Sequence, residues 1–156
     1  ELNVVALVDL TRLCLPQMRE QGSGYILNIA STAAFQPGPY MAVYFATKAF
    51  VLHFSEALAV ELAATGISVT VHCPGATESE FAATAGNDSS LLFALGAMSG
   101  EKVGKHAVTS MLKKRWVAIC GFQNWIGSQL VAFLPRALVV RVAARLNRPP
   151  PFRRTK

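Results

Sequence analysis

Two short runs of apolar residues, separated by a long helical segment, decide the fold of this chain. The first run is Y-I-L-N-I-A-S at residues 25–31, and the second is I-S-V-T-V-H-C at residues 67–73. Residues 40–65 between them contain no glycine or proline, which predicts a helix that Gly66 caps. This order predicts parallel strands joined by right-handed crossovers.

The segments around this unit extend the same alternation of helices and strands. Apolar residues at helical spacing predict a helix over 2–20, and Ser99 is placed to cap a further helix that ends near Lys114. A third strand is predicted at 116–120, followed by two apolar helices split at Pro135. The chain is therefore predicted to be an α/β protein with a parallel sheet.

Composition excludes several classes of protein. Of 156 residues, 52% are hydrophobic and 15% are charged, which excludes a disordered chain. Residues 1–100 hold three Lys/Arg and eight Asp/Glu, a net of −5, whereas residues 101–156 hold twelve and one, a net of +11. A uniformly basic nucleic-acid binder is therefore not expected. Three widely spaced cysteines predict buried, reduced thiols and a cytoplasmic protein.

One pair of side chains carries a recognisable chemistry. Tyr44 and Lys48 lie four residues apart on the predicted helix, so they share one face. An ammonium group near a phenol stabilises the phenolate form and suits the phenol to acid–base catalysis. The alternative is a solvated surface pair. Ser31 favours the catalytic interpretation, because it ends a buried strand at the sheet edge where ligands of open α/β sheets bind.

Together these residues resemble the short-chain dehydrogenase/reductase family. The matching segments are Asn3, the run N-I-A-S at 28–31, the run Y-F-A-T-K-A at 44–49, and C-P-G at 73–75 with Ser79 downstream. The resemblance is specific over residues 1–81 and fades toward residue 121. It implies a Rossmann-like, doubly wound parallel sheet, and residues 1–121 are expected to form the catalytic half of such a domain.

The resemblance also implies roles for individual residues. Tyr44 is expected to be the acid/base, and Lys48 to support it and to bind the nicotinamide ribose. Ser31 is expected to hold the substrate carbonyl, and Asn3 to hold a water that links Lys48 to solvent. Cofactor contacts are expected from the following residues: Tyr44, Lys48, Pro74, Gly75, Thr77 and Ser79.

The cofactor itself is expected to be NADP or NAD, without a choice between them. The family's glycine-rich phosphate loop and cofactor-selecting residue should precede Asn3, and neither is found in this sequence. Residues 22–24 do not replace the loop, because they lead from a helix into a strand. We therefore expect a fragment that holds the C-terminal catalytic half of the sheet, with three strands, and that binds no nicotinamide cofactor alone.

The three histidines do not predict a metal site. His53, His72 and His106 lie on different predicted elements, and no His or Cys pair has the spacing of metal ligands. Structural roles are the expectation, and the predicted metal set is empty.

Residues 122–148 are expected to form amphipathic helices, and residues 149–156 a basic tail. An apolar face of Leu138, Val142 and Leu146, widened by Val139 and Ala143, opposes Arg136, Arg141, Arg145 and Arg148. This pattern fits a lid over the substrate pocket, a contact with a neighbouring subunit, or a membrane-surface helix at 136–148. Nucleic acid is not an expected partner. The location is accordingly predicted to be cytoplasmic, either free or membrane-peripheral.

Two functions follow from these observations. The first is an oxidoreductase that transfers a hydride between a nicotinamide cofactor and a ketone or secondary alcohol, with an apolar acyl or lipid carbonyl as the expected substrate. A homo-oligomer is compatible with this function. The second is a catalytically silent fragment whose basic C-terminus contacts a membrane or a protein.

Overall fold

The computed structural model describes residues 2–78 and 96–148. A π-helical turn at Leu2–Ala6 leads into α1 (Leu7–Glu20), followed by β1 (Gly24–Ile29) and a 3-10 turn at Thr32–Phe35. The long helix α2 (Ala42–Glu61) leads to β2 (Ile67–Cys73). The second described range contains α3 (Gly100–Leu112), β3 (Val117–Ile119), α4 (Phe122–Phe133) and α5 (Arg136–Leu146). The predicted tail 149–156 lies outside the described residues.

The three strands form one parallel sheet in the order β1-β2-β3, so the predicted α/β architecture is confirmed. The register pairs Gly24 with Ile67 at one end and Ile29 with His72 at the other. The carboxyl ends of β1 and β2 therefore lie side by side.

The sheet is covered on both faces. Val69, Val71 and Cys73 of β2 pack against the α1 and α2 side, in two apolar clusters that include Val51 and Leu62. The alternate β2 residues face the other way, and His72 contacts His106 of α3. Helices on both faces are the defining feature of a doubly wound fold.

The predicted handedness of the crossovers needs a correction. The two connections step across the sheet in the same direction, but α2 covers one face and α3 covers the other. Two such connections have opposite hands. The prediction that both are right-handed is therefore wrong for one of them.

Helix α2 is shorter at both ends than predicted. A turn closed by Met41 N–H donating to Gly38 O at 3.1 Å precedes it, and Tyr40 in this turn has a φ of 68°. At the other end the helix stops at Glu61, so Gly66 does not cap it. Gly66 instead adopts a φ of 75° where a Cβ would lie 2.1 Å from Gly22 O. The two turns approach so closely that only glycine fits there.

Two details of the remaining helices also differ. Cys14 is exposed on α1, whereas Cys73 and Cys120 are buried as predicted. Pro135 is the N-cap of α5, whose first residue is Arg136, whereas the sequence predicts Pro135 itself at the first helical position. Ser99 caps α3 as predicted, and its side chain accepts a hydrogen bond from Lys102 N–H at 3.4 Å.

Helix α5 is rotated relative to its predicted orientation. Val139 and Ala143 are buried against the domain, and Leu146 is half-buried. Leu138 and Val142, predicted on the same apolar face, are each 46% exposed. The buried line continues through Asn147, whose amide approaches Pro39 O at 3.5 Å, so a polar contact helps to set the rotation.

Among the described residues, α2 is the one helix long and apolar enough to cross a membrane by length and composition. However, α2 packs on the sheet through the buried residues Val51, Leu52 and Leu58. Its apolar composition is therefore explained by its position as a core helix.

Candidate active site

Ser31 lies where β1 ends and joins the ends of two strands. Its hydroxyl accepts a hydrogen bond from Ala33 N–H at 3.1 Å, which caps the 3-10 turn, and it approaches Pro74 O at 3.4 Å. Thr32 N–H donates to the same Pro74 oxygen at 2.9 Å. The structure therefore brings Ser31 and Pro74 together at the carboxyl edge of the sheet.

Lys48 connects α2 to this edge. Its amine donates a hydrogen bond to Ile29 O at 3.0 Å and lies 5.8 Å from the centre of the Tyr44 ring. Burial lowers the pKa of the Lys48 amine below its usual value, and the Cys73 thiol nearby opposes this shift. The amine thus lies between the tyrosine and the end of β1.

A buried hydrogen bond aligns the helix with the strand beneath it. Asn28 donates from its amide to Ser55 Oγ at 2.9 Å, and Ser55 donates to Val51 O at 2.6 Å. Because Asn28 precedes Ser31 by three residues, this bond helps to fix the strand end against α2.

Asn3 reaches the same helix through its neighbour. Its amide donates to Thr47 Oγ1 at 3.3 Å, and Thr47 donates to Tyr44 O at 2.8 Å. The π-helical turn that carries Asn3 is a form often found at functional sites. Asn3 thus lies beside the residue that precedes Lys48, and the predicted water link to Lys48 stays a prediction.

The residues predicted to contact the cofactor follow β2. Thr77 donates to Gly75 O at 3.0 Å, which holds this segment in a turn. Gly75 approaches Asn124 so closely that a Cβ would lie 2.5 Å from the Asn124 amide nitrogen. Ser79 lies outside the described residues.

Asn124 was not predicted to belong to this region. It lies on α4, contacts Gly75 and donates to Cys120 O at 2.6 Å. The segment G-F-Q-N at 121–124 follows the third predicted strand, which is the position of a segment at the carboxyl edge of the sheet. Nothing in the sequence indicates that Asn124 contacts Gly75.

On the other face of β2, the structure brings together side chains that the sequence kept apart. The ligand atoms of His72, His106 and Cys120 lie within 4.8 Å of one another, and His72 Nε2 is 2.9 Å from His106 Nδ1. Burial, and then the charge of His106, lower the pKa of His72 to about 4. A hydrogen bond between neutral rings accounts for this approach, and the predicted structural role stays a prediction.

A cavity lies apart from this region. It has a volume of about 730 Å³ and lies between the 34–39 loop, α2, α4 and α5. It meets α2 at Phe45, Ala49 and His53, and neither Tyr44 nor Lys48 is among its lining residues. The cavity therefore does not contain the predicted catalytic pair.

Comparisons with known proteins agree with this geometry. The sequence profile described as short chain dehydrogenase matches residues 1–90. The chain therefore belongs to the short-chain dehydrogenase family.

Individual relatives share part of the chain. The ketoacyl reductase HetN of a Nostoc species is 45% identical over 73 residues, which are 47% of this chain and 25% of that protein. The 17-beta-hydroxysteroid dehydrogenase type 3 of Mus musculus is 44% identical over 72 residues, 46% of this chain and 24% of that protein. The chain matches about a quarter of the length of these curated relatives.

A solved structure extends the likeness to most of the chain. A short-chain dehydrogenase from Sphingobium yanoikuyae, in complex with NADPH, superposes with a TM-score of 0.71 and 30% identity, covering 87% of this chain and 56% of that one. The Rossmann-like fold predicted from the sequence is thereby confirmed.

Proposed function

We propose that the protein carrying this chain is an NAD(P)-dependent oxidoreductase that interconverts a ketone and a secondary alcohol. The observation that carries the proposal is the position of the Lys48 amine, 3.0 Å from Ile29 O and 5.8 Å from the Tyr44 ring centre. This arrangement supplies a cation beside a phenol at the edge of a parallel sheet where ligands bind. Membership of the family and the names of the relatives support the same reaction class.

The donor groups at this edge fit a nicotinamide nucleotide. The Lys48 amine can donate to ribose hydroxyls, and the Thr77 hydroxyl lies in the turn that follows β2. When bound, the reduced cofactor supplies a hydride to the carbonyl carbon of the substrate. Pro74, Gly75 and Thr77 are the described residues proposed to hold it beside Tyr44 and Lys48.

Each catalytic side chain has a proposed task that its contacts support. Tyr44 gives its phenolic proton to the substrate oxygen as the carbonyl is reduced, and takes a proton back in the reverse direction. Lys48 stabilises the phenolate that remains. Ser31 can turn its hydroxyl from the long contact to Pro74 O toward the substrate carbonyl, because that contact is already 3.4 Å. Asn3 holds the π-helical turn beside α2 through its hydrogen bond to Thr47.

We further propose that the substrate is an apolar acyl or lipid carbonyl. Support comes from relatives named as a ketoacyl reductase and a hydroxysteroid dehydrogenase, and from a very-long-chain 3-oxoacyl-CoA reductase of Rattus norvegicus, 47% identical over 68 residues. That match covers 44% of this chain and 22% of the rat protein.

The test is an assay of the protein carrying this chain with NADPH and with NADH, against a β-ketoacyl thioester, a ketosteroid and acetone. Tyr44→Phe removes the proton donor and is expected to lower kcat about 10²-fold or more. Tyr25→Phe is the matched control, because Tyr25 is the second residue of β1, at the far end of the strand from Ser31, and is exposed. Consumption of neither cofactor with any substrate would favour the catalytically silent alternative, and an active Tyr44→Phe protein would remove Tyr44 from the mechanism.

A further inference from the structure

Helix α4 turns its large apolar side chains outward. Its most exposed members are Phe133 at 84% and Phe122 at 73%, and three more line the same side: Trp125, Ile126 and Leu130. These positions recur every three or four residues, so they form one continuous face. The buried side instead carries Ser128, with Val131 half-buried. A helix on a soluble domain ordinarily has the reverse arrangement.

Helix α5 adds positive charge next to this apolar face. Val139 and Ala143 face the domain, so the outward side carries Arg141, Arg145 and Arg148, all exposed. Leu138 lies among them and is half exposed. We call these outward sides of α4 and α5 the C-terminal surface.

Both helices border the same cavity. Ser128 and Val131 of α4 line it, as do Arg136 and Val139 of α5. The large apolar side chains of α4 and the arginines Arg141, Arg145 and Arg148 of α5 are not among its lining residues, so they lie on the sides turned away from it.

The charge of the whole region indicates what kind of partner fits. Residues 122–148, which carry both helices, contain four Arg and no Lys, Asp or Glu. A second copy bound symmetrically through this surface would bring the arginines of both copies together, which is unfavourable. An anionic lipid headgroup layer over an acyl region complements both the arginines and the aromatic side chains.

We propose that the C-terminal surface binds an anionic phospholipid membrane, with Phe122, Trp125, Leu130 and Phe133 inserted at the interface and the α5 arginines on the headgroups. In this proposal α4 and α5 lie at the membrane interface and do not cross it. This inference stands apart from the proposed reaction, because none of these residues contacts Tyr44 or Lys48 in the described contacts.

The test is sedimentation of the protein carrying this chain with vesicles of phosphatidylcholine alone and of phosphatidylcholine with 30% phosphatidylglycerol. Binding is expected with the anionic vesicles, and it should fall as salt rises from 0.05 to 0.5 M. The indole emission should shift to shorter wavelength on binding, and Trp125→Phe should remove most of that shift.

Matched variants separate the two contributions. Arg141→Glu with Arg145→Glu should lower the partition coefficient at least tenfold, whereas Lys102→Glu on α3 with Lys113→Glu at its C-cap, an equal change of charge, should change it less than twofold. Phe133→Ser should likewise weaken binding, and the control Leu13→Ser on α1, where Leu13 is 75% exposed, should not.

Three results would overturn the proposal. One is equal binding to neutral and anionic vesicles, and another is equal losses in the variant and control pairs. The third is a failure to bind vesicles together with a concentration-dependent dimer that Phe133→Ser dissociates, since that result would assign the surface to a second copy. Activity of each variant on a soluble substrate shows whether it is folded.

Discussion

The Lys48 amine donates a hydrogen bond at 3.0 Å to the main-chain oxygen of Ile29, the last residue of β1, two residues before Ser31. This bond ties the middle of a helix to the end of the neighbouring strand. It holds a cation in a fixed position beside Tyr44, where a free lysine would sample many rotamers. Much of the proposed chemistry depends on this one contact.

Replacing Lys48 with Met should therefore impair turnover more than stability. The thioether side chain keeps the apolar stem but cannot donate to Ile29 O or stabilise a phenolate. We expect kcat to fall about 10²-fold and the KM for the cofactor to rise. Lys102→Met on the exposed surface of α3 is the control. Unchanged kinetics for Lys48→Met would contradict the proposed role.

Gly66→Ala should destabilise the fold by about 2 kcal/mol or more. The residue has a φ of 75°, and an added Cβ would meet Gly22 O at 2.1 Å. Gly104→Ala makes the same chemical change in the middle of α3 with nothing within 4 Å. Because alanine favours helix, that variant should be stabilised by up to about 1 kcal/mol. Urea unfolding measures the free energy of unfolding of both variants. A change in the same direction for the two variants would refute this account of Gly66.

Acid should weaken the fold through His72. Burial lowers the pKa of His72 to about 4 in the folded state, against 6.5 for a free histidine. As pH falls below about 6.5, the unfolded chain takes up a proton that the folded chain does not, so stability declines until about pH 4. The loss attributable to this group is at most about 3 kcal/mol.

The measurement compares unfolding free energies between pH 7.5 and 4.5 for the wild type, His72→Gln and His53→Gln. The first variant should show a shallower decline than the wild type. His53 has a side chain that is 75% exposed, so its variant should follow the wild type. Parallel curves for all three proteins would show that His72 is not the group responsible.

The three cysteines should differ sharply in reactivity. Burial and the Glu56 carboxylate raise the pKa of the Cys73 thiol to about 12, and burial also raises that of Cys120. Cys14 is exposed on α1. Iodoacetamide at pH 8 should label Cys14 at least about 100-fold faster than the others, because the thiolate is the reactive form. Peptide mapping reports the labelling rate at each cysteine. As a control, labelling in urea should give comparable rates at all three. Rapid labelling of Cys73 in the folded protein would be inconsistent with its burial.

The elements that the sequence predicted best are those bounded by residues with strong local preferences. The β2 bounds agree at both ends, because Gly66 precedes the strand and Pro74-Gly75 follows it. The start of α2 was missed because Tyr40 occupies a left-handed conformation that local sequence rarely indicates. Local propensity therefore located the elements well and their ends less well.

Contacts between distant segments were beyond the reach of sequence patterns. The approach of His72 to His106 joins residues 34 apart and depends on how α3 lies on the sheet. The rotation of α5 likewise depends on Asn147 meeting Pro39, 108 residues away. By contrast, the four-residue spacing of Tyr44 and Lys48 placed both on one face of α2 before any packing was known.

The junction of β1 and β2 beside Ser31 and Pro74 has a consequence for the timing of catalysis. Main-chain bonds from Thr32 N–H to Pro74 O and from Ala30 N–H to His72 O lock the two strand ends against sliding past each other, and they remain when the Ser31 hydroxyl turns to the substrate. A carbonyl held by Ser31 and a cofactor held beyond β2 would then sit on one rigid platform. Such preorganised groups need little rearrangement when charge develops on the substrate oxygen. The free-energy cost of arranging them is met when the protein folds and does not add to the barrier of the turnover step.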